Sequence, residues 1–261
     1  MQLPDLRDRP SDASPLGRNL TYSMLDSLGR AIVTGRYVES GFPTEAELAR
    51  LHGVSRSVTR EAVKMLTAKG LLSARPRQGT AVQPAGAWNL FDADVLRWLL
   101  ERRFSMELLR HFTQLRIAIE PEAAALAARF AEAADLESIA AGLSRMEAAE
   151  RREDDPLEAD IEFHVAILRA SKNPFYAQFR DVVVTALRTS IRFTNRIKGR
   201  TASLVDHGAV NRAIAAGDAD AARDAMRGLI GDVLVLIDDA ENGRGPPEAD
   251  PSPDAGATAA G

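Results

Sequence analysis

No cysteine occurs in the 261 residues, which excludes a disulfide framework, a thiolate metal site and a cysteine nucleophile. No apolar run approaches the roughly 20 residues that a membrane helix needs. The opening stretch MQLPDLRDRPSDASP lacks the basic-then-apolar order of a secretory signal. These absences predict a cytoplasmic protein with no membrane partner. Internal repeats and heptad runs are missing too. What is present is ordinary for a globular chain: 45% hydrophobic and 27% charged residues, at a length that suits one large domain or two modest ones.

The net charge of −4 conceals an asymmetry. Residues 19–85 hold nine Lys/Arg against five Asp/Glu, whereas residues 86–241 hold 20 against 26. The sign changes part-way along the chain, which predicts two domains with different partners.

Residues 1–18 and 242–261 are rich in Pro, Gly, Ala and acid, and lack the apolar side chains that would offset ordering entropy. Both read as disordered tails. Between them, Leu20, Met24, Leu28 and Ile32 recur every fourth residue, as on an amphipathic helix. TGRYVESGFP breaks that helix. Thr44 and Glu47 then form the pattern of a capping box, Gly53 ends a short second helix, and Ser55 is placed to cap a third. Val58, Ala62, Met65 and Leu66 are its expected buried face. LLSARPRQGTAVQP follows as two short strands around a turn. Three helices and a hairpin over 19–85 predict a winged helix-turn-helix.

After Pro84 the pattern is helical throughout. Residues 86–105 read as a linker helix region and 106–241 as an all-helical domain, with breaks near 133–135, 154–156, 173–174, 198–201 and 217–218. The fold class expected is mainly α, a winged helix-turn-helix followed by a helical effector-binding bundle.

The third helix carries Arg56 and Arg60 on one face, near its start. There a guanidinium reaches the major groove and pairs bidentately with guanine. Surface ion pairing with Glu47 or Glu61 is the plainer alternative, and a lone Arg-x-x-x-Arg would not exclude it. The preceding short helix, the glycine turn, Ser55 with Ser57, and the basic wing of Arg75, Arg77, Gln78 and Gly79 together favour double-stranded DNA.

The stretch GFPTEAELARLHGVSRSVTREAVKMLTAKGLLSARPRQGTAV closely resembles the winged-helix domain of GntR-type bacterial transcription regulators. The remainder resembles the helical ligand-binding (FCD) domain of the FadR subgroup. WNLFDADVLRWLLE and EADIEFHVAILRASKNPF are similar to its galactonate-responsive, sugar-acid branch. The resemblance spans about residues 20–240. It implies that Arg56 and Arg60 contact operator DNA and that the wing enters the minor groove. Two departures stand out: Arg77 replaces a glycine common among relatives, and Ala46 replaces an arginine that contacts DNA in some.

With about 100° between helical residues, Leu157, Ile161 and Leu168 share a face, and Asp160 and His164 fall inside that apolar arc. His207 likewise shares a face with Leu204, Val210 and Ile214. Ionisable groups in a buried stripe are costly without partners. A hydrogen-bonded core pair is the commoner explanation, but Asp and two His also suit Zn²⁺, Ni²⁺ or Mn²⁺. The family resemblance adds that metal-binding members use an Asp-x-x-x-His pair and later histidines. The fourth ligand they carry, 22 residues past the third, is Leu229 here. Three protein ligands leave coordination positions open for a carboxylate or hydroxyl oxygen.

Arg116 sits among Phe112, Ile119, Ala123 and Ala127 on its helical wheel. Either it pairs with Glu120 one turn along, or it clamps an anionic ligand. The resemblance implies that this Arg-x-x-x-Glu helix lines the effector pocket, with Asn173 at a further family position. Arg188 and Arg192 could add positive charge to the same cavity.

These readings converge on a homodimeric regulator, a repressor, that answers a small sugar acid or hydroxy acid and is not an enzyme. Two alternatives stay open: a metal-dependent enzyme acting on sugar acids, and a regulator with a metal-free, acyl-binding pocket.

Overall fold

The computed structural model describes residues 15–38, 40–75, 79–102, 105–197 and 203–242. It divides into two compact units, 1–104 and 105–261.

The first unit opens with helix α1 (Pro15–Val33), so residues 15–18, expected in a tail, are helical. Met24, Leu28 and Ile32 are buried as their spacing requires, joined by Leu25 and Val33, but Leu20 is 45% exposed. Helix α2 (Glu45–His52) starts at the capping box. The Thr44 amide donates to Glu47 Oε2 at 2.8 Å, and the Glu47 amide donates back to Thr44 Oγ1 at 3.3 Å. Gly53, at φ +63°, ends it in the left-handed region that glycine tolerates.

Helix α3 (Arg56–Ala68) is capped by Ser55, whose Oγ accepts from the Val58 amide at 3.3 Å. Its buried face is Thr59, Ala62, Val63 and Leu66, with Val58 and Met65 only half-buried. The stripe is thus turned from the one expected, because Thr59 hides its hydroxyl by donating to the Ser55 carbonyl at 3.1 Å. Strands β1 (Leu72–Arg75) and β2 (Gly79–Val82) pair antiparallel, Leu72 opposite Val82 and Arg75 opposite Gly79.

The segment expected to be a linker belongs to this unit. A 3-10 turn at Ala85–Ala87 leads into α4 (Ala93–Leu99). Trp98 of α4 is fully buried and donates from Nε1 to Asp26 of α1 at 2.9 Å. Lys69, at the end of α3, reaches Asp92 at 2.7 Å and Asp94 at 2.9 Å.

The second unit holds seven helices among the described residues. These are α5 (Met106–Phe130), α6 (Ala133–Glu150), α7 (Pro156–Ala170), α8 (Pro174–Gln178), α9 (Arg180–Ile197), α10 (Leu204–Ala215) and α11 (Ala219–Glu241). Two of these bounds differ from expectation: the break before α6 falls at Ala131–Glu132, and α8 is a single short turn after Asn173. Helix α7 packs against α5, α6 and α9. Surrounded on three sides, it buries Ala159, Ile161, Phe163, His164, Val165, Ala166, Ile167, Leu168 and Ala170. A helix that is apolar nearly all round belongs in a core, and here it carries Asp160 and His164 inward with it.

Gly142 of α6 sets how closely α7 approaches. A Cβ at this position would stand 2.8 Å from Phe163 Cα and 3.0 Å from Phe163 N, one residue before His164. Backbone cannot yield as a side-chain tip can, so Gly142→Ala should cost about 1–3 kcal/mol. In a unit of this size that is a fall in Tm of about 3–10 °C, measurable by differential scanning calorimetry. An unchanged Tm would mean that the two helices separate freely.

Candidate functional site

Three helices deliver five polar side chains to one buried place. Arg116 and Glu120 come from the middle of α5, Asp160 and His164 from α7, and His207 from the first turn of α10. Helix α7 begins where Asp155 caps it, accepting from the Leu157 and Glu158 amides at 2.8 and 3.1 Å, with Pro156 at its first position. Helix α10 begins at Ser203, whose hydroxyl accepts from the Asp206 amide at 3.4 Å. His164 and His207 are each 2% exposed, Glu120 1% and Arg116 5%; Asp160 is half-buried.

Each group is held. His207 Nδ1 donates to the Ser203 carbonyl at 2.7 Å, which leaves Nε2 facing Asp160 Oδ1 at 3.0 Å. His164 Nδ1 faces Glu120 Oε2 at 2.5 Å, and its Nε2 lies 3.5 Å from the same Asp160 Oδ1. Arg116 Nε donates to Glu120 Oε1 at 2.5 Å. The ring of Phe163 stands edge-on to both imidazoles, 5.7 Å from His164 and 5.1 Å from His207, and walls off the apolar side.

The electrostatics follow from this packing. Burial pushes the Glu120 carboxyl up, but the charges of Arg116 and His164 outweigh it and bring the pKa down to about 2. Burial also works against a charged Asp160, yet hydrogen bonds from His164 and His207 hold its carboxyl far below the usual carboxylate range. For His164, burial opposes protonation, but the Glu120 charge outweighs burial and the neighbouring Arg116, and its pKa is raised. Two carboxylates against one guanidinium leave one negative charge uncompensated when both imidazoles are neutral. A proton on His164 or a bound cation balances it.

A divalent ion fits the donor set. Asp160, His164 and His207 offer ligand atoms that all lie within 4.8 Å of one another. Bond lengths of about 2.0–2.2 Å place neighbouring ligand atoms about 2.8–3.6 Å apart in octahedral or tetrahedral sites, a range that includes the 3.0 and 3.5 Å spacings at Asp160 Oδ1. Each imidazole also has the kind of Nδ1 partner that metal-bound histidines use.

Other expected site residues have local partners. Asn173 Oδ1 accepts from the Phe175 amide at 3.0 Å, so it caps α8. Arg188 pairs with Glu158 at 2.6 Å and is 40% exposed. Both are thus also engaged locally. Glu120 has its oxygens committed to Arg116 and His164, so an effector contact does not suit it. Arg192 is in α9, but its side chain lies outside the described residues. Sequence reading missed the Ser203 carbonyl and Phe163. The Ser203–Asp206 cap pattern, four residues before His207, was the available signal for the first.

In the first unit Arg56 and Arg60 are exposed on α3, beside exposed Ser55 and Ser57, whose hydroxyls lie 2.9 Å apart. Arg60 approaches Glu45 of α2 at 3.5 Å, a loose surface pair that a phosphate or base can displace. Gly79 starts β2 at φ +82°. Arg77 and Gln78, and the side chain of Arg75, lie outside the described residues.

Comparison with known proteins decides the family. The profile described as "Bacterial regulatory proteins, gntR family" matches residues 23–82, and that of the FCD domain matches residues 111–232. The "Uncharacterized HTH-type transcriptional regulator YieP" of Escherichia coli is 36% identical over 82% of this chain and 93% of its own length. The chain belongs to the GntR family, with an FCD domain. The galactonate operon transcriptional repressor of Escherichia coli is 34% identical over 81% of this chain and 94% of its own length. The putative L-lactate dehydrogenase operon regulatory protein of the same organism is 33% identical over 81% and 83%.

A GntR regulator binds operator DNA, and Arg56 and Arg60 stand exposed on α3. The alternative of an enzyme acting on sugar acids falls, since these relatives regulate transcription. Among the described residues no helix is long and apolar enough to cross a membrane.

Proposed function

We propose that this GntR-family protein is a cytoplasmic repressor whose FCD domain holds a divalent metal, zinc by preference, and through it senses a small sugar acid or hydroxy acid. The observation that carries the reading is the convergence of two Nε2 atoms on one Asp160 oxygen, beside the buried Arg116–Glu120 pair. Asp160, His164 and His207 would hold the ion. Bound there, it supplies coordination positions open to a carboxylate or hydroxyl oxygen. Nickel and manganese suit the same donors.

With a divalent cation the cluster turns from one excess negative charge to one positive, which favours an anion. Arg116 adds direction. Its Nε and Nη2 face Glu120 and His164, so Nη1 is the nitrogen left for a ligand carboxylate. Leu229 packs against the core instead of offering a fourth imidazole, which keeps one more position open to the ligand.

On the DNA side, a homodimer would set two α3 helices into successive major grooves of a pseudo-palindromic operator. Arg56 and Arg60 would face bases, Ser55 and Ser57 phosphates, and the wing from Arg75 to Gly79 the minor groove. The effector acts only if it binds better to the protein shape that fits DNA less well. The names of two relatives, a galactonate repressor and a lactate-operon regulator, point to hydroxy acids as the class to try.

Thermal shift tests this. A sugar acid at a hundred times its Kd stabilises by about 2.7 kcal/mol, a rise of about 5–10 °C, and a chelator should abolish the rise. A shift that survives chelation would support the metal-free pocket instead, and no shift with any hydroxy acid would remove the effector assignment.

A further inference from the structure

We propose that Glu120 is a positioning residue of the metal site: its carboxylate holds the Nδ1 proton of His164, and Arg116 anchors that carboxylate from behind. The inference rests on the metal-binding reading above and gives Glu120 a role distinct from ligand contact.

The geometry is specific. Glu120 Oε2 lies 2.5 Å from His164 Nδ1, while Oε1 accepts from Arg116 Nε at 2.5 Å. Arg116 Nη2 lies a further 3.4 Å from Oε2, so both carboxylate oxygens are engaged. A neutral imidazole carries one ring proton, and a carboxylate at Nδ1 can only accept. In the neutral ring that one proton is therefore held on Nδ1 and Nε2 offers its lone pair to a metal, whereas in the protonated ring Nε2 donates to Asp160. Donation to an anion also makes the ring a stronger ligand.

His207 provides the contrast. Its Nδ1 donates to a backbone carbonyl, a neutral acceptor, at 2.7 Å. The same tautomer is selected, without the charge. The two histidines are thus unequal ligands, and Glu120 makes the difference. Burial adds to the effect, because Glu120 is 1% exposed and water cannot replace it as the acceptor.

The guanidinium has a part beyond balancing charge. Held by Nε and Nη2, the carboxylate cannot rotate away from His164 to act as a metal ligand itself. An Arg-x-x-x-Glu pair on α5 thereby fixes a ligand on α7.

Full-length protein titrated with Co²⁺ alone, followed by visible absorption with a competing chelator, reads affinity and ligand geometry together. Glu120→Gln, which keeps the shape but lets an amide turn toward Nδ1, should weaken binding about 10–100-fold and move the visible bands. Glu120→Asp should restore part of the affinity. Where Glu120→Gln does not fold, Arg116→Met/Glu120→Gln removes the pair together, leaves the net charge of the cluster unchanged and should show the same loss. Wild-type affinity and bands in the folded variant would overturn the inference while leaving the metal site standing. Wild-type protein that takes up neither Co²⁺ nor Zn²⁺ would overturn both.

Discussion

Asp160→Ala is expected to yield a folded protein that retains no metal. Asp160 Oδ1 is the atom on which the Nε2 atoms of both His164 and His207 converge, at 3.5 and 3.0 Å. Its removal would take away the one anionic donor of the proposed site and leave only two imidazoles. Even an outer-shell partner is worth 10–100-fold in affinity, so a direct ligand should cost at least about a hundredfold. The substitution also changes the charge of the cluster: Arg116 and Glu120 then balance, and no cation is required. The fold should survive for that reason, with circular dichroism close to wild type. Metal analysis of protein purified without a polyhistidine tag checks the outcome. Stoichiometric zinc in the variant would show that the ion sits elsewhere.

Arg56→Ala/Arg60→Ala carries the second large effect. Both side chains are exposed on the first two turns of α3, and neither takes part in the core of its unit. Stability should therefore be unchanged. Each bidentate arginine–guanine contact is worth about 1–3 kcal/mol, so the pair should weaken operator binding between about 30-fold and more than 10⁴-fold. Binding to unrelated DNA should fall much less, since the phosphate contacts proposed for Ser55, Ser57 and the wing would persist. Electrophoretic mobility shift with operator and with scrambled duplex separates these terms. Equal losses on both would make the arginines phosphate contacts only.

The first unit was legible because its signals are local. Thr44 with Glu47, Gly53 and Ser55 fix where α2 ends and α3 starts, and a cap depends only on nearby chain. The buried face of α3 was less legible. Thr59 reads as polar, but its hydroxyl finds the Ser55 carbonyl and so it enters the core, displacing Val58. The linker was misjudged for a tertiary reason: Trp98 needs the opposing Gly29 and Asp26, 72 positions away from the latter, to be buried.

In the second unit, the anomaly of Asp160, His164, His207 and Arg116 on apolar faces marked a shared interior, because burying such groups singly is prohibitive. Which groups would share partners could not be read. The link from Glu120 to His164 spans 44 positions, and the Ser203 carbonyl that orients His207 is backbone, invisible to residue type. Asn173 and Arg188 looked equally suited to a ligand, but capping and pairing took them.

The central claim is that occupancy of the buried cluster is felt at the operator. Fluorescence anisotropy of labelled operator, titrated with protein in the presence of a sugar acid, tests it with the metal present and after chelation. Coupling between the sites of an allosteric protein is typically about 1–3 kcal/mol. The sugar acid should therefore weaken operator binding about 5–150-fold in wild-type protein, and have no effect after chelation or in Asp160→Ala. Superimposable isotherms with and without any hydroxy acid, in protein shown to carry its metal, would contradict the account.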